Sequence, residues 1–303
     1  MRISVIVLSW NCEKYVTSCL KSLLAIDAGS DHLEIIVVDN ASSDGSVDLI
    51  RKNFPNLTLI QNQTNLGYAE GNNVGIRYAM QKNSDFIWIV NPDVTVDKAS
   101  LKELLAAAKK FPAGGIFGSK IYFAPGYEFH KDRYAQKDLG NVIWYAGGNI
   151  DWNNMEGHHR GVDEIDNGQF DIDCLTDFVT GASMFVRRKV IDAIGLLDAK
   201  YFLYYEENDF CQRAQKTGWQ LIYVAQSKAW HANGLATGVG SSLQDYYITR
   251  NRLMFGLRHA PAYTKFLLIK QAIYFYFQGR PWQKRAVIDF FSGKLGSGSY
   301  ELN

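Results

Sequence analysis

The first 120 residues alternate between short apolar runs and stretches of helical spacing, and few folds accept that pattern. Ile3–Leu8, Leu33–Val38, Leu57–Ile60, Phe86–Val90 and Gly115–Phe123 read as buried strands. Between them, Tyr15, Val16, Cys19, Leu20, Leu23 and Leu24 recur with helical spacing, and Ser46 opens a short helix to about Asn53. Asn65–Asn73 reads as a Gly/Asn-rich loop running into a helix to about Gln81, and Ala99–Lys110 as an Ala/Leu/Lys helix. Such alternation predicts βαβ units: a mainly parallel sheet with right-handed crossovers. By pattern alone the first half is a Rossmann-like nucleotide-binding layer.

The second half breaks the rhythm. Residues 124–175 are rich in Gly, Asn, Asp, His and Tyr and read as an insertion with short antiparallel strands. Val179–Val186 reads as a strand, Glu206–Lys216 as a helix and Trp219–Val224 as a further strand; from Leu243 the pattern is helical and aromatic. The Gly/Ser-rich stretch Ser292–Ser299 is expected to fray.

Charge narrows the partners. The chain has 32 Lys/Arg against 31 Asp/Glu. From Asn251 onward eight cations face two acids, a balance of +6, so the first 250 residues carry −5. That split argues against nucleic acid as the main partner and for a basic tail with a partner of its own. The four cysteines (Cys12, Cys19, Cys174, Cys211) lack metal-ligand spacing and form no disulfide framework, as expected of thiols in a reducing cytoplasm. The run Ile3–Leu8 is too short for a secretory leader, and no stretch reaches the ~18 apolar residues of a membrane span.

Ligands of open α/β sheets bind at the carboxyl ends of the strands. There the chain places Ser9-Trp10-Asn11, Asp39-Asn40, the Asn65-Leu66-Gly67-Tyr68 loop and Asn91-Pro92-Asp93. It has neither a Gly-x-Gly-x-x-Gly turn nor a phosphate-binding Gly-x-x-x-x-Gly-Lys-Ser/Thr loop. A nucleotide would therefore be held by side chains and a divalent metal. Asp93 offers a hard oxygen for Mg²⁺ or Mn²⁺, although Asn91-Pro92-Asp93 also reads as a plain turn. Asp39 could accept from a base or a ribose hydroxyl, or simply cap a turn. Tyr204-Tyr205-Glu206-Glu207-Asn208-Asp209-Phe210 sets three carboxylates among aromatics, where desolvation would raise a pKa toward general-base duty; acids at a helix start also answer its dipole. His231 would matter if Asp93 needs a second protein ligand.

Together these motifs resemble the family 2 glycosyltransferases of GT-A fold, in order along nearly the whole chain. Val5-Ile6-Val7-Leu8-Ser9-Trp10-Asn11 looks like the opening strand, and Val37 to Ser46 like the nucleoside-contacting motif. Asn65-Leu66-Gly67-Tyr68-Ala69-Glu70-Gly71-Asn72-Asn73 looks like the Asn-x-Gly-Phe-Ala loop of rhamnosyltransferase-like members. Asn91-Pro92-Asp93 occupies the Asp-x-Asp position, Thr180-Gly181-Ala182 resembles the acceptor-side strand, and Glu206 to Arg213 matches the Glu-Asp-x-Asp-Leu-Cys-x-Arg helix start. Two departures stand out: Asn91 replaces the first acid of Asp-x-Asp, and Glu206-Glu207 replaces Glu-Asp.

The resemblance implies an α/β GT-A fold. Its parts would be a nucleotide-sugar half (1–120), an acceptor-binding and catalytic half (121–240) and a basic, aromatic, helical region (241–303). It implies inverting transfer of a sugar, rhamnose by the Asn65–Asn73 loop, from a dTDP- or UDP-sugar to a glycan or lipid-linked glycan in cell-surface polysaccharide synthesis. Ser9, Asn11, Asp39, Asn65, Gly67, Asn73, Asn91 and Asp93 would bind the donor, and Asp93 with His231 the metal. Gly181, Ala182, Tyr205 and Asp209 would face the acceptor, and Glu207 or Glu206 would be the base. Trp144, Tyr145, Trp152, Tyr204 and Tyr205 could stack on sugar rings or pack in the core. In the tail, Arg252, Arg258, Lys265, Lys270, Arg280, Lys284 and Arg285 alternate with aromatics. That pattern suits the inner, anionic face of a membrane, or packing on the catalytic domain or a second subunit. Two other readings remain: a sugar nucleotidyltransferase, which would want a basic Gly-rich loop after strand one, and an inactive glycan-binding scaffold, for which Asn91 speaks.

Overall fold

The computed structural model describes residues 1–233 and 241–300. In the first half β1 (Arg2–Ser9), α1 (Glu13–Leu24), β2 (His32–Asp39), α2 (Ser46–Asn53), β3 (Thr58–Gln61), α3 (Gly67–Gln81), β4 (Phe86–Val90), β5 (Val94–Val96), α4 (Ser100–Lys110) and β6 (Gly114–Phe123) follow one another. Short strands β7 (Ile143–Tyr145), β8 (Gly148–Asp151), β9 (Glu156–His159) and β10 (Cys174–Leu175) fill the stretch read as an insertion. Then come β11 (Ser183–Arg187), α5 (Arg188–Ile194), α6 (Glu206–Lys216), β12 (Gln220–His231), α7 (Ser242–His259), α8 (Ala262–Gln278) and α9 (Pro281–Phe291).

The central sheet runs β10-β12-β6-β11-β4-β1-β2-β3, with β5 added to β12 and β7 to β6. β3, β2, β1 and β4 are parallel, as the alternation requires. β11 inserts antiparallel between β4 and β6. Covered on both faces, β1 carries a nearly continuous apolar run: Ile3, Val5, Ile6 and Val7 are fully buried, and Ser4 between them is paired with Ser84 (2.7 Å). Register brings Ser9 level with Asp39, so the carboxyl ends of β1 and β2 share one edge.

Four expectations need correction. The Asn65–Asn73 loop is mostly helix: α3 starts at Gly67, and a Cβ at Gly71 or Gly75 would come within 2.6 Å of Leu8 or Ile6. These glycines let the helix lie directly on the sheet. Residues 179–182 lead into β11 through a turn at Gly181-Ala182 rather than forming its first half. β12 does not stop at Val224; a bulge between Val224 and Lys228 re-registers it against β6, and it continues to His231. Ser292–Ser299 does not fray. Gly296 N–H donates to the Lys200 carbonyl (2.9 Å), Ser299 N–H to Asp289 Oδ2 (2.9 Å), and the Tyr247 hydroxyl to the Ser297 carbonyl (3.0 Å). Residues 234–240 and 301–303, which belong to the expected second and third segments, lie outside the described residues.

Candidate active site

The edge formed by β1 and β2 holds a buried acceptor. Asp39 is 2% exposed; its Oδ2 accepts from Ser42 N–H (3.2 Å), while Oδ1 is buried with no hydrogen-bond partner. An orphaned carboxylate oxygen is costly unless a ligand completes it. Around it the asparagines fasten loops. Asn11 Oδ1 accepts from Ser43 N–H (2.8 Å) and so shapes the 41–46 turn. Asn40 reaches Asn65 Oδ1 through Nδ2 (2.8 Å) and receives Leu66 N–H on Oδ1 (3.0 Å). Asn65 Oδ1 also accepts from Gly67 N–H (2.8 Å), and Gly67 takes φ +76° beneath the Phe202 ring. Asn73 exchanges two bonds with the Leu197 backbone (2.9 and 3.1 Å). Ser9 is turned inward, 3.0 Å from the Cys12 sulfur. Of the expected donor contacts at this edge, Asp39 leaves a buried polar atom without a hydrogen-bond partner, while the oxygens of the asparagines fasten the surrounding loops.

The β12 bulge decides the next cluster. Because the strand continues, His231 falls opposite Val94, and Ala232 N–H donates to the Asp93 carbonyl (2.9 Å). Asp93 Oδ1 then lies 3.1 Å from His231 Nε2, both groups buried, at a sequence separation of 138. His231 Nδ1 is buried without a hydrogen-bond partner, and the ring stands edge-on to Trp144 at 4.5 Å. Among the described residues no three His, Cys, Asp or Glu side chains converge on a metal position. One hard oxygen and one imidazole nitrogen are a donor set that could supply two ligands to a divalent cation.

Asn91 is tied in differently. The Tyr68 hydroxyl donates to the Gly181 carbonyl (2.8 Å) and lies 3.1 Å from Asn91 Oδ1, while Asn91 N–H donates to the Ala182 carbonyl (3.2 Å). Gly181 and Ala182 therefore join the Asn91 turn to the start of β11. Gly181 has no room to vary: a Cβ would lie 2.4 Å from the Tyr68 oxygen. Gly181→Ala is expected to cost about 2 kcal/mol by overpacking, measured by urea unfolding. In a Tyr68→Phe background, where the nearest atom is gone but the ring edge stays at 3.0 Å, the cost should be clearly smaller. An equal cost in both backgrounds would place the strain elsewhere.

The acidic cluster opens α6. Glu206 is 3% exposed and Glu207 half-buried, and each keeps Oε2 buried without a hydrogen-bond partner. Burial raises both carboxyls, and the Glu207 charge raises Glu206 further. Tyr68 ties the loop before α6 to the Asn91 turn: its N–H donates to the Phe202 carbonyl (2.6 Å) while its hydroxyl reaches Asn91 Oδ1. Burial, then the charges of Glu207, Glu206 and Asp93, raises its phenol well above the ordinary range. Phe202, Tyr204 and Tyr205, just before α6, all adopt left-handed backbone (φ +66°, +69°, +74°). Three such non-glycine residues together are strained, and strain of this kind gathers at functional loops.

The clamp on this loop was hidden in the basic tail. Asn251 of α7 is fully buried, and its Nδ2 donates to the carbonyls of Tyr201 (2.8 Å), Leu203 (2.7 Å) and Tyr204 (2.9 Å). Arg250, also fully buried, donates to the Tyr201 carbonyl (2.9 Å) and to Asn251 Oδ1 (3.0 Å). The signal in the sequence was an Arg-Asn pair four residues after Tyr246-Tyr247, inside a helix; counting charge alone passed over it.

Asp209 is placed otherwise than expected of an acceptor contact. Its carboxylate is fully buried and taken up by Arg213 (2.7 Å), Arg258 (2.7 Å), His259 (2.8 Å) and Tyr201 (3.3 Å). Burial alone would raise this carboxyl; the bonds from His259, Arg213 and Arg258 overcome that and hold it well below the usual carboxylate range. It fastens α6 to α7. Tyr205 leans on Phe255 of α7 (5.5 Å), which also stacks on Trp152 (5.8 Å), and Tyr145 is fully buried core.

A family model described as glycosyl transferase family 2 matches residues 4–195. An N-acetylglucosaminyl-diphospho-decaprenol L-rhamnosyltransferase of Mycobacterium tuberculosis is 26% identical over 215 residues, 68% of this chain and 68% of its own. The rhamnosyltransferase WbbL of Escherichia coli is 25% identical over 232 residues, 75% of this chain and 82% of its own. Among solved structures, a mannosyltransferase of Pyrobaculum calidifontis in complex with GDP-Man and Mn²⁺ superposes with TM-score 0.55 at 16% identity. That match covers 99% of this chain and 76% of the other.

Proposed function

The chain belongs to glycosyl transferase family 2, with a GT-A fold, and from that premise we propose an inverting transfer in which Glu207 is the base. The observation that supports it is Tyr68, whose N–H donates to the Phe202 carbonyl (2.6 Å) in the loop before α6 and whose hydroxyl reaches Asn91 Oδ1 (3.1 Å), so that the α6 loop and the Asn91 turn meet at one residue. Donor-side and base-side carboxylates would then face one bound sugar.

The donor is a nucleoside-diphosphate sugar lying along the strand ends. Asp39 Oδ1 accepts from its base or ribose, answering the orphaned oxygen. Asp93 and His231 would hold a divalent cation, Mg²⁺ or Mn²⁺, which when bound neutralises charge on the leaving diphosphate. Asn91, held by Tyr68 and Ala182, keeps the loop in place beside them. Glu207 takes the proton of the acceptor hydroxyl as its oxygen attacks the anomeric carbon from the face opposite the diphosphate. Burial and the Glu207 charge raise Glu206 well above the ordinary carboxyl range, which leaves Glu207 the better placed to act ionised. A single displacement needs no covalent sugar–enzyme intermediate. The names of the relatives support rhamnose as the sugar, and that of the mycobacterial relative a lipid-linked acceptor; the donor proposed with them is a dTDP- or UDP-sugar.

Asp93→Ala is expected to weaken donor binding with Mn²⁺ present by about 10- to 100-fold, the range seen when a metal site is disturbed. Without metal, variant and parent should bind alike. Calorimetric titration of dTDP-rhamnose under both conditions reads the difference. Unchanged affinity with Mn²⁺ present would remove Asp93 from the metal site.

A further inference from the structure

α8 is apolar nearly all round, yet it buries only Thr264, Leu268 and Ala272, one stripe at four-residue spacing. A helix of that composition is ordinarily enclosed. Here the opposite stripe faces outward: Phe266 (60% exposed), Lys270, Ile273 (55%) and Phe277 (63%) recur at i, i+4, i+7 and i+11, flanked by Tyr263 and Tyr274. α9 packs on α8 and adds exposed Ile288 and Phe291. Lys265, Lys270 and Lys284 have no ion-pair partner among the described residues, and Lys270 Nζ sits 5.7 Å over the Phe266 ring. Asp289, the single acid between residues 261 and 300, is buried against Tyr246 and Arg285.

We infer that α8 is an interfacial helix that lies on an anionic bilayer surface. Charge selects this occupant over an apolar protein face: the exposed ring and aliphatic groups are interleaved with unanswered cations and no accessible acid. Lysine stems can lie along the apolar stripe while their ammonium groups meet lipid phosphates. No helix among the described residues is long and apolar enough to cross a membrane, and α8, about 25 Å long at ~1.5 Å per residue, would rest in the headgroup plane. An acceptor built on a lipid carrier would be presented in that same plane. The docking itself does not depend on which sugar is moved.

The test is sedimentation of the full chain with vesicles. Binding should be strong to phosphatidylglycerol vesicles at low salt, weak to phosphatidylcholine, and should fall as salt rises. Lys265→Gln with Lys270→Gln should lower the partition coefficient about 25-fold, at about fivefold per cation near an anionic surface. Phe266→Asp with Phe277→Asp should abolish binding while leaving the melting temperature unchanged, since both side chains are exposed. Equal binding to both lipids, no binding at low salt, or lysine variants that bind like the parent would each overturn the inference. So would a stable dimer in light scattering that the Phe→Asp pair dissociates, which would give the face to a second copy of the chain.

Discussion

Glu207→Gln is expected to lower kcat about a thousandfold while leaving donor affinity intact, within the 10²–10⁴ usually carried by a positioned base. The amide preserves the shape of the side chain but cannot accept a proton. Burial already keeps the carboxyl above its ordinary range, which brings the base closer to working pH. The sign of the pH effect follows. Catalysis should rise as pH passes upward through the raised Glu207 value, because the ionised form works. Stability moves the other way: a carboxyl raised by folding contributes most below its unfolded value, and that contribution is lost as pH climbs through the folded one. Glu206→Gln removes a charge that burial disfavours and should stay active, with stability that falls less as pH rises. If the roles of the two substitutions came out reversed, the base would be Glu206.

Asn251→Ala is expected to cost about 2 kcal/mol, since the carbonyls of Leu203 and Tyr204 lose a donor at once while that of Tyr201 keeps Arg250. Activity should fall further than the loss of folded protein explains. The left-handed run at Phe202, Tyr204 and Tyr205 sets where α6 begins, and hence where Glu207 stands. A misplacement of about 1 Å at a reacting group costs on the order of a hundredfold. The decisive comparison is kcat at a temperature where the variant is fully folded, alongside Asn251→Asp, which keeps the size but offers no N–H. If both variants, once folded, turned over substrate like the parent, Asn251 would be a stability residue only.

Much of the nucleotide-side scaffold was legible because its signals are local. Buried strands with a two-sided cover are continuous apolar runs, and β1 through β4 could be read directly, with Asp39, Asn91 and Asp93 at their ends. The juxtaposition of Asp93 with His231 depended on a bulge at residues 224–228, which leaves no pattern in an otherwise ordinary strand. α3 was obscured because its glycines, poor helix formers in isolation, are there for close approach to Leu8 and Ile6. Asn11 and Asn73 looked like ligand contacts, yet their amides fasten loops; an asparagine in a turn carries the same letters for either duty. Arg250 and Asn251 vanished into a charge count, because burial of a cation is decided by the loop it meets some 50 residues away. The C-terminal Gly/Ser stretch looked unstructured until Asp289 and Tyr247 supplied partners.

The anomeric configuration of the transferred sugar bears most directly on the single displacement with Glu207 as base. It can be read from the one-bond carbon–proton coupling in the product against that of the donor. Inversion is the expected outcome; retention would mean that attack does not come from the Glu207 side, and the proposed chemistry of the cleft would have to be abandoned.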